Sequence, residues 1–330
     1  MPRLDTVSFL SDYGLADEFV GVVKAVIRTI APHAVVIDIT HEIPPHDTRA
    51  GGLALARSVQ YLPSGVVLAV VDPGVGTARR AVAVEVGDDP ASVFVGPDNG
   101  LLAPAVGMAG GAGRAVSLTN ADYHLPSPGP TFAGRDVFAP VAAHLCAGVD
   151  ITSLGELIDA NTLQPGLLPL TRHEDATVLG EVLWIDRFGN AQLNVDPDEV
   201  AAMGDVVTLH AGEQVRTAVR AAAFAELDAG QLGLVVDSYG LLALALDRRS
   251  AAEELRLHPG DAVTLERQAH ALKGGAANFG ARLLTSLCGE LQAAGHAGDI
   301  ALATVLLPQV EAELERVEEA LRAALEVSPG

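Results

Sequence analysis

Hydrophobic and polar positions along the first half of the chain switch between two periods. Residues 6–11, 35–40, 66–71, 82–86 and 93–95 are short apolar runs of strand length. Between and after them, 18–30, 48–61 and 138–146 carry apolar residues three and four apart, the spacing of one helix face. This strand–helix rhythm predicts an α/β domain, with a mostly parallel sheet and helices on both faces. From residue 177 the spacing tightens. Segments 178–186, 191–195, 206–209, 214–220, 232–237, 241–245 and 261–265 read as short strands between Gly and Asp turns, which predicts a small β-barrel. Beyond residue 265 the chain is rich in Ala, Leu and Glu. Leu302, Leu306, Val310, Leu314, Val317, Leu321 and Leu325 recur at helical spacing, and Pro308 is predicted to start or kink that helix. The expected organisation is an α/β domain at 1–160, a linker at 161–176, a β-barrel at 177–265 and a helical tail at 266–330.

Composition narrows the partners. The 330-residue chain carries 42 acidic against 21 basic residues, a net charge of −21. Nucleic acid and anionic lipid both require basic patches, so neither is expected as a partner. Two cysteines, Cys146 and Cys288, form no metal-binding or disulfide framework, which fits a reducing cytoplasm. The N-terminal segment has no long apolar run of the signal-peptide kind, and no apolar run is long enough to span a membrane.

Candidate chemistry gathers where strands end. Asp12, Asp72 and Asp98 follow predicted strands, and Asp38 lies within one. In open α/β sheets, ligands bind outside the carboxyl ends of strands, where strand order reverses. Carboxylates there can accept ribose hydroxyls or face a cation, although Asp at such places also serves as a turn or cap residue. The sequence has neither GxGxxG nor GxxxxGK[ST], so a sugar-bearing cation fits better than a phosphate ligand. The segment DPGVGTARR (72–80) ends a strand in a carboxylate, lets the backbone approach a ligand at two glycines, and allows Arg79 to return to Asp72. A carboxylate beside a guanidinium can orient a water; the same residues also make a hairpin turn with an ion pair. In WIDRFGN (184–190), Asn190 offers the donor and acceptor that an adenine edge requires, and Phe188 can stack on a base. A bulge with Gly189 at positive φ reads equally well there.

Taken together, these segments resemble the S-adenosyl-L-methionine (SAM) hydroxide adenosyltransferases, the family that also contains the SAM-dependent chlorinase and fluorinase. The resemblance is carried by FLSDYGLADEFVGVVKAVI (9–27), VVDPGVGTARR (70–80), FVGPDNGLL (94–102), TFAGRDVFAPVAAHL (131–145), WIDRFGNAQLNV (184–195) and DSYGLLALALDRRSAAEELRLHPGDAV (237–263), in family order. It implies hydrolysis of SAM to adenosine and methionine by water or hydroxide at C5′, with SAM as substrate and no cofactor or metal. It also implies a homotrimer with SAM held where subunits meet. By this resemblance Asp12 holds the ribose hydroxyls, Asp17 and Asp186 face the methionine ammonium, Phe188 and Asn190 contact adenine, and Ser238 binds the methionine carboxylate. Asp72 and Arg79 are then two members of a water-activating Asp-Arg-His set. The third departs from the pattern: the hydrolytic branch has TFHGRD, and this chain has Ala133 in TFAGRD. Slow hydrolysis by Asp72 and Arg79 alone, substitution by His124 or His144, a halide nucleophile, and SAM binding without turnover all remain open at this point.

The tail carries a second resemblance. AHALKGGAANFGA (269–281) is similar to the phosphoacceptor helix of histidine phosphotransfer (HPt) domains, which implies His270 as phosphoacceptor, with Lys273 and Gly274 on the same face and a response regulator as partner. An HPt bundle has one more helix before this one than the chain provides. The first 265 residues would then sense SAM for a signalling tail.

Overall fold

The computed structural model describes residues 4–87, 92–174, 176–267, 281–297 and 299–326. The chain divides into two compact units, Met1–Leu168 and Pro169–Gly330.

The first unit is built on a seven-stranded sheet. Its strands are β1 (Thr6–Ser11), β2 (Val35–Thr40), β3 (Val66–Val70), β4 (Ala81–Val86), β5 (Ser92–Pro97), β6 (Ala112–Ser117) and β7 (Glu156–Ile158), in the order β2-β1-β3-β5-β4-β6-β7. Helices α1 (Phe19–Ile30), α2 (Thr48–Val59), α3 (Ala103–Met108) and α4 (Ala139–Cys146) cover it. Strand β3 shows why both faces are covered. Val66, Leu68 and Val70 join one apolar cluster with Val20, Val23 and Ile27 of α1 and Val141 of α4. Val67, Ala69 and Val71 join the opposite cluster, with Leu55 of α2 and Ala105 and Val106 of α3. A side-chain period of two sends alternate residues to opposite faces, so a strand buried on both reads as an unbroken apolar run. Helix α2 is capped by Asp47, whose carboxylate accepts the Ala50 N–H at 2.8 Å. It packs so closely that a Cβ on Gly51 would stand 2.8 Å from Leu101 Cδ1 and 3.0 Å from Val71 Cγ2.

The α/β class with helices on both faces matches the expectation, but the sheet is mixed rather than mostly parallel. The pairings β1–β2, β1–β3 and β3–β5 are parallel, and β4–β5, β4–β6 and β6–β7 are antiparallel. The reason lies in the connections. Parallel neighbours need a crossover of a dozen or more residues, and only α1 and α2 supply one before β3; the short link from β4 to β5 permits only a hairpin.

The second unit opens with β8 (Arg172–Glu174), inside the stretch read as linker, paired to the first residues of β9 (Thr177–Ile185). Then follow β10 (Ala191–Leu193), β11 (Val206–Ala211), β12 (Gln214–Ala221), β13 (Leu232–Val236), β14 (Leu242–Ala245) and β15 (Ala262–Arg267), with the short helix α5 (Ala251–Leu255) before the last. Strand β10 pairs with both β14 and β9, which closes β9–β15 into a seven-stranded barrel. Val178, Val182, Leu209, Leu234, Leu244 and Leu265 fill its interior. Closure removes the free sheet edge that an open sheet of this size would expose.

In the tail, α6 (Arg282–Ala297) and α7 (Ile300–Glu326) pack through Leu284, Cys288 and Val310, with Leu287, Leu291, Leu314 and Val317 alongside. Val310, Leu314 and Val317 of the expected stripe therefore face α6 and Leu306 is buried, while Leu302 is 45% exposed. Pro308 lies inside α7 rather than at its start. The expected phosphoacceptor His270, with Lys273 and Gly274, lies outside the described residues. Among the described residues, no helix is long and apolar enough to cross a membrane, and no group of three or more His, Cys, Asp or Glu residues is placed to hold a metal.

Candidate functional site

Strand order brings the first two candidate carboxylates together. The chain runs from β1 through α1 to β2 on one side, then through α2 to β3 on the other side of β1, so the order reverses at β1/β3. Ser11 pairs with Val70 across these strands, and the next residues, Asp12 and the Val71–Asp72 pair, leave the same edge of the sheet. This is the crevice position at which open α/β sheets bind ligands.

A pocket of about 260 Å³ lies there, lined by Asp12, Tyr13, Phe19, Pro45, His46, Val70, Asp72, Val75 and residues 131–134. Asp72 is nearly buried and is gripped by Arg79, whose Nε donates to both carboxylate oxygens at 2.8 and 3.0 Å and whose Nη2 also contacts Oδ2. The Arg79 guanidinium in turn lies 5.2 Å from the centre of the Phe138 ring. Its fork therefore fixes the direction of the Asp72 carboxylate. Asp12 accepts the backbone N–H of His46 at 2.9 Å, tying the β1 loop to the turn before α2.

The opposite wall is aromatic. Tyr13, Phe19 and Phe132 form a closed set, with ring centres 5.0 to 5.8 Å apart. Gly134 belongs to a π-type turn at the start of α4 and leaves room for the Tyr13 ring. Burial, then the nearby Asp12 and Asp72 carboxylates, push the Tyr13 hydroxyl well above the ordinary phenol value, so it holds its proton. Behind the pocket, buried Ser11 Oγ stands 2.8 Å from His41 Nδ1, and the His41 carbonyl accepts the Gly14 N–H at 2.7 Å. His41 Nε2 lies 3.1 Å from Asp38 Oδ1, close enough for an ion pair but too poorly aligned for a hydrogen bond.

Asp38 and Asp98 do not reach this pocket. Asp38 pairs with Lys24 at 2.6 Å. Asp98 pairs with Arg80 and accepts the Gln164 N–H, beside a separate, mainly apolar cavity of about 270 Å³. Asp17 sits in the exposed turn before α1, outside the pocket lining. Ala133 does line it, whereas His124 and His144 do not. Burial lowers the pKa of both histidines, and His144 packs edge-on against Tyr123 at 5.0 Å. His46, Tyr13, Phe19 and Phe132 were not singled out in the sequence. The turn signal Pro44-Pro45-His46-Asp47 before a helix is what marks His46.

In the second unit, Asp186, Phe188, Asn190 and Ser238 line one surface pocket of about 400 Å³ with Trp184, Gln192, Phe224, Asp237 and Tyr239. Two matching turns build it. Asp186 Oδ1 accepts the N–H groups of Phe188 and Asn190 at 2.8 and 2.9 Å. Asp237 Oδ1 accepts those of Tyr239 and Leu241 at 2.8 and 3.1 Å. Each turn closes on a glycine in the left-handed region, Gly189 or Gly240. Asn190 also donates one amide hydrogen to Asp186 Oδ2 at 2.8 Å, which leaves its carbonyl and second amide hydrogen for a ligand. Phe188 is 78% exposed, a presentation that suits stacking rather than core packing.

Models of the SAM hydroxide adenosyltransferase N-terminal and C-terminal domains match residues 7–155 and 180–264. An Hpt domain model matches residues 241–320, beginning on the last strands of the barrel. The chain is 44% identical over 260 residues to an "(R)-S-adenosyl-L-methionine hydrolase" of Salinispora tropica, covering 77% of this chain and 95% of that one. It is 43% identical over 267 residues to a protein of the same name from Thermus thermophilus, covering 78% and 98%. To a fluorinase of Actinoplanes sp. it is 26% identical over 294 residues, covering 79% and 97%. Among solved structures, an uncharacterized conserved protein from Thermotoga maritima superposes with a TM-score of 0.73 at 36% identity, covering 79% of this chain and 100% of that one.

Proposed function

The chain belongs to the SAM hydroxide adenosyltransferase family, and from that premise we propose that it hydrolyses S-adenosyl-L-methionine to adenosine and L-methionine by attack of water or hydroxide at C5′. The observation that carries the reading is the pocket at the β1/β3 edge. There Asp12 and Asp72 meet an aromatic wall, and one carboxylate is locked by a guanidinium.

Each part has a physical task. A sulfonium is a cation, and the aromatic faces offered by Tyr13, Phe19 and Phe132 beside two carboxylates favour it. Asp12 accepts hydroxyl hydrogens of the ribose. Asp72, held in direction by Arg79, accepts one hydrogen of the attacking water and aims its lone pair at C5′. The leaving group departs as a neutral thioether, so no acid is required. The reaction draws on no cofactor besides its substrate. Asp186 and Asp17 face the ammonium, Phe188 and Asn190 the adenine, and Ser238 the methionine carboxylate. Ser238 is exposed on its turn, where its hydroxyl has no protein partner among the described residues. The same reading has three copies assemble with SAM between subunits, since the ribose and water-orienting carboxylates lie in one pocket and the adenine and methionine contacts in the other. A cytoplasmic location belongs to it as well, supported by two buried, unpaired cysteines.

Incubation of the purified protein with each sulfonium epimer of SAM, followed by chromatography, tests the proposal. Adenosine and methionine in equal amounts are expected. Ala133 supports one second reading, SAM binding without turnover, for which intact SAM would be recovered bound. For the tail, the Hpt match supports transfer of phosphate to His270 from a response regulator, to be lost in His270→Gln.

A further inference from the structure

The pocket at the β1/β3 edge contains four titratable side chains: Asp12, Tyr13, His46 and Asp72. Three are committed. Asp72 is held in the Arg79 fork. Asp12 holds the His46 N–H. Tyr13 is partly buried, with its hydroxyl against Gly134. The His46 imidazole is exposed to the pocket mouth and has no partner among the described residues.

The backbone places His46 deliberately. Its φ is 69°, a left-handed conformation that a residue with a side chain adopts at a cost of about 1 kcal/mol. The conformation is held from both sides. The N–H goes to Asp12 Oδ2, and the carbonyl accepts the Thr48 N–H at 3.0 Å. Pro44 and Pro45 precede it, and Asp47 caps α2 immediately after it. Strained residues held by such a frame cluster at active sites.

We infer that the His46 imidazole is the proton acceptor for the attacking water, the role that alanine at 133 cannot fill. The inference rests on the hydrolytic reading of this pocket. In the step, a water lone pair forms the O–C5′ bond while the C5′–S bond breaks and its electron pair leaves on methionine sulfur. The proton lost from the water passes to the free ring nitrogen of His46, then to solvent at the exposed mouth. Both Asp72 oxygens already accept from Arg79, so Asp72 orients the water and His46 takes the proton. The charged groups that line the pocket with His46 are Asp12 from the β1 loop and Asp72, paired with Arg79, from the loop after β3, while the Asp47 carboxylate beside it caps α2. Residues 131–134 bring none, and Arg135 beyond them is paired with Asp136.

The test is the pH profile of kcat/KM for SAM with the full-length protein. Wild type is expected to gain rate as pH rises, because only a deprotonated base can take the water proton. His46→Asn is the variant of choice because Asn tolerates the left-handed backbone. It is expected to lose roughly 10²–10⁴-fold in kcat, lose the acidic limb and leave KM little changed, with part of the rate restored by added imidazole. His46→Gly, which also fits the backbone, is expected to behave alike. A variant with wild-type rate and profile, or one whose loss lies wholly in KM, overturns the inference while hydrolysis stands. A wild-type protein that produces no adenosine overturns hydrolysis itself, and this inference with it.

Discussion

The Tyr13 hydroxyl rests on the Cα of Gly134: a Cβ built at residue 134 would stand 2.0 Å from the hydroxyl oxygen and 3.0 Å from Tyr13 Cζ. Two loops far apart in the chain meet at this point and form adjoining walls of the pocket. Gly134 is needed because a ring occupies the space where its side chain would be.

Gly134→Ala is therefore expected to displace the Tyr13 ring. Overpacking of this kind costs about 1–3 kcal/mol, and SAM affinity should fall with it. Adding Tyr13→Phe removes the atom in closest conflict and should recover part of the lost stability. Thermal unfolding and SAM titration of the three variants check this; wild-type values for Gly134→Ala would show that the contact is not tight.

Asp72→Ala is expected to abolish hydrolysis and to destabilise the protein, because it leaves the Arg79 guanidinium, 16% exposed, without its counter-ion. Removing one partner of such a buried pair costs about 3–5 kcal/mol. Asp72→Ala with Arg79→Leu should regain most of the stability and none of the activity. Urea unfolding alongside an adenosine assay separates the two roles.

Ala133→His places an imidazole on the lining of the same pocket. It is expected to raise hydrolysis, and in the His46→Asn background to restore a rate within about tenfold of wild type, given the 10²–10⁴ that a general base contributes. If it changes nothing in either background while Asp72→Ala is inactive, the account of the proton acceptor fails.

Alkaline pH should weaken the first unit. Burial, and then Asp5, push the Cys146 thiol up to about 12. Burial, and then Asp12 and Asp72, raise the Tyr13 phenol. In both, the protonated form is favoured by folding, so their contribution is complete below the unfolded values, about 8.5 and 10. It is lost as pH rises from there through the folded values. Urea midpoints should fall above about pH 9. Cys146→Ala should flatten the earlier part of the fall and Tyr13→Phe the later. A midpoint independent of pH up to about 11 would contradict the burial of both groups.

Much of the fold was legible because its signals are local. The apolar runs of β1, β2 and β3 and the spacing of α1 announce themselves within a dozen residues, and the Gly and Asp turns mark the barrel strands. The antiparallel half of the sheet was not legible, since strand direction depends on the length of the links and on where β6 finds a free edge. At the site, Asp12, Asp72 and Arg79 were marked by their places after strands and in DPGVGTARR. Asp98 carried the same mark, Asp38 lay within a strand, and both belong to other ion pairs. Tyr13 and Phe132 had no pattern of their own, and His46 had only the turn signal before α2.

The sequence alone determined the α/β unit, the barrel and the chemical types present at strand ends, because periodicity and turn chemistry act between near neighbours. Tertiary structure alone decided which carboxylates share a pocket. Crossing β1 to place β3 on its far side sets Asp12 beside Asp72 and leaves Asp38 and Asp98 elsewhere. That choice is made by strands pairing across 59 residues, a distance over which no local pattern carries information.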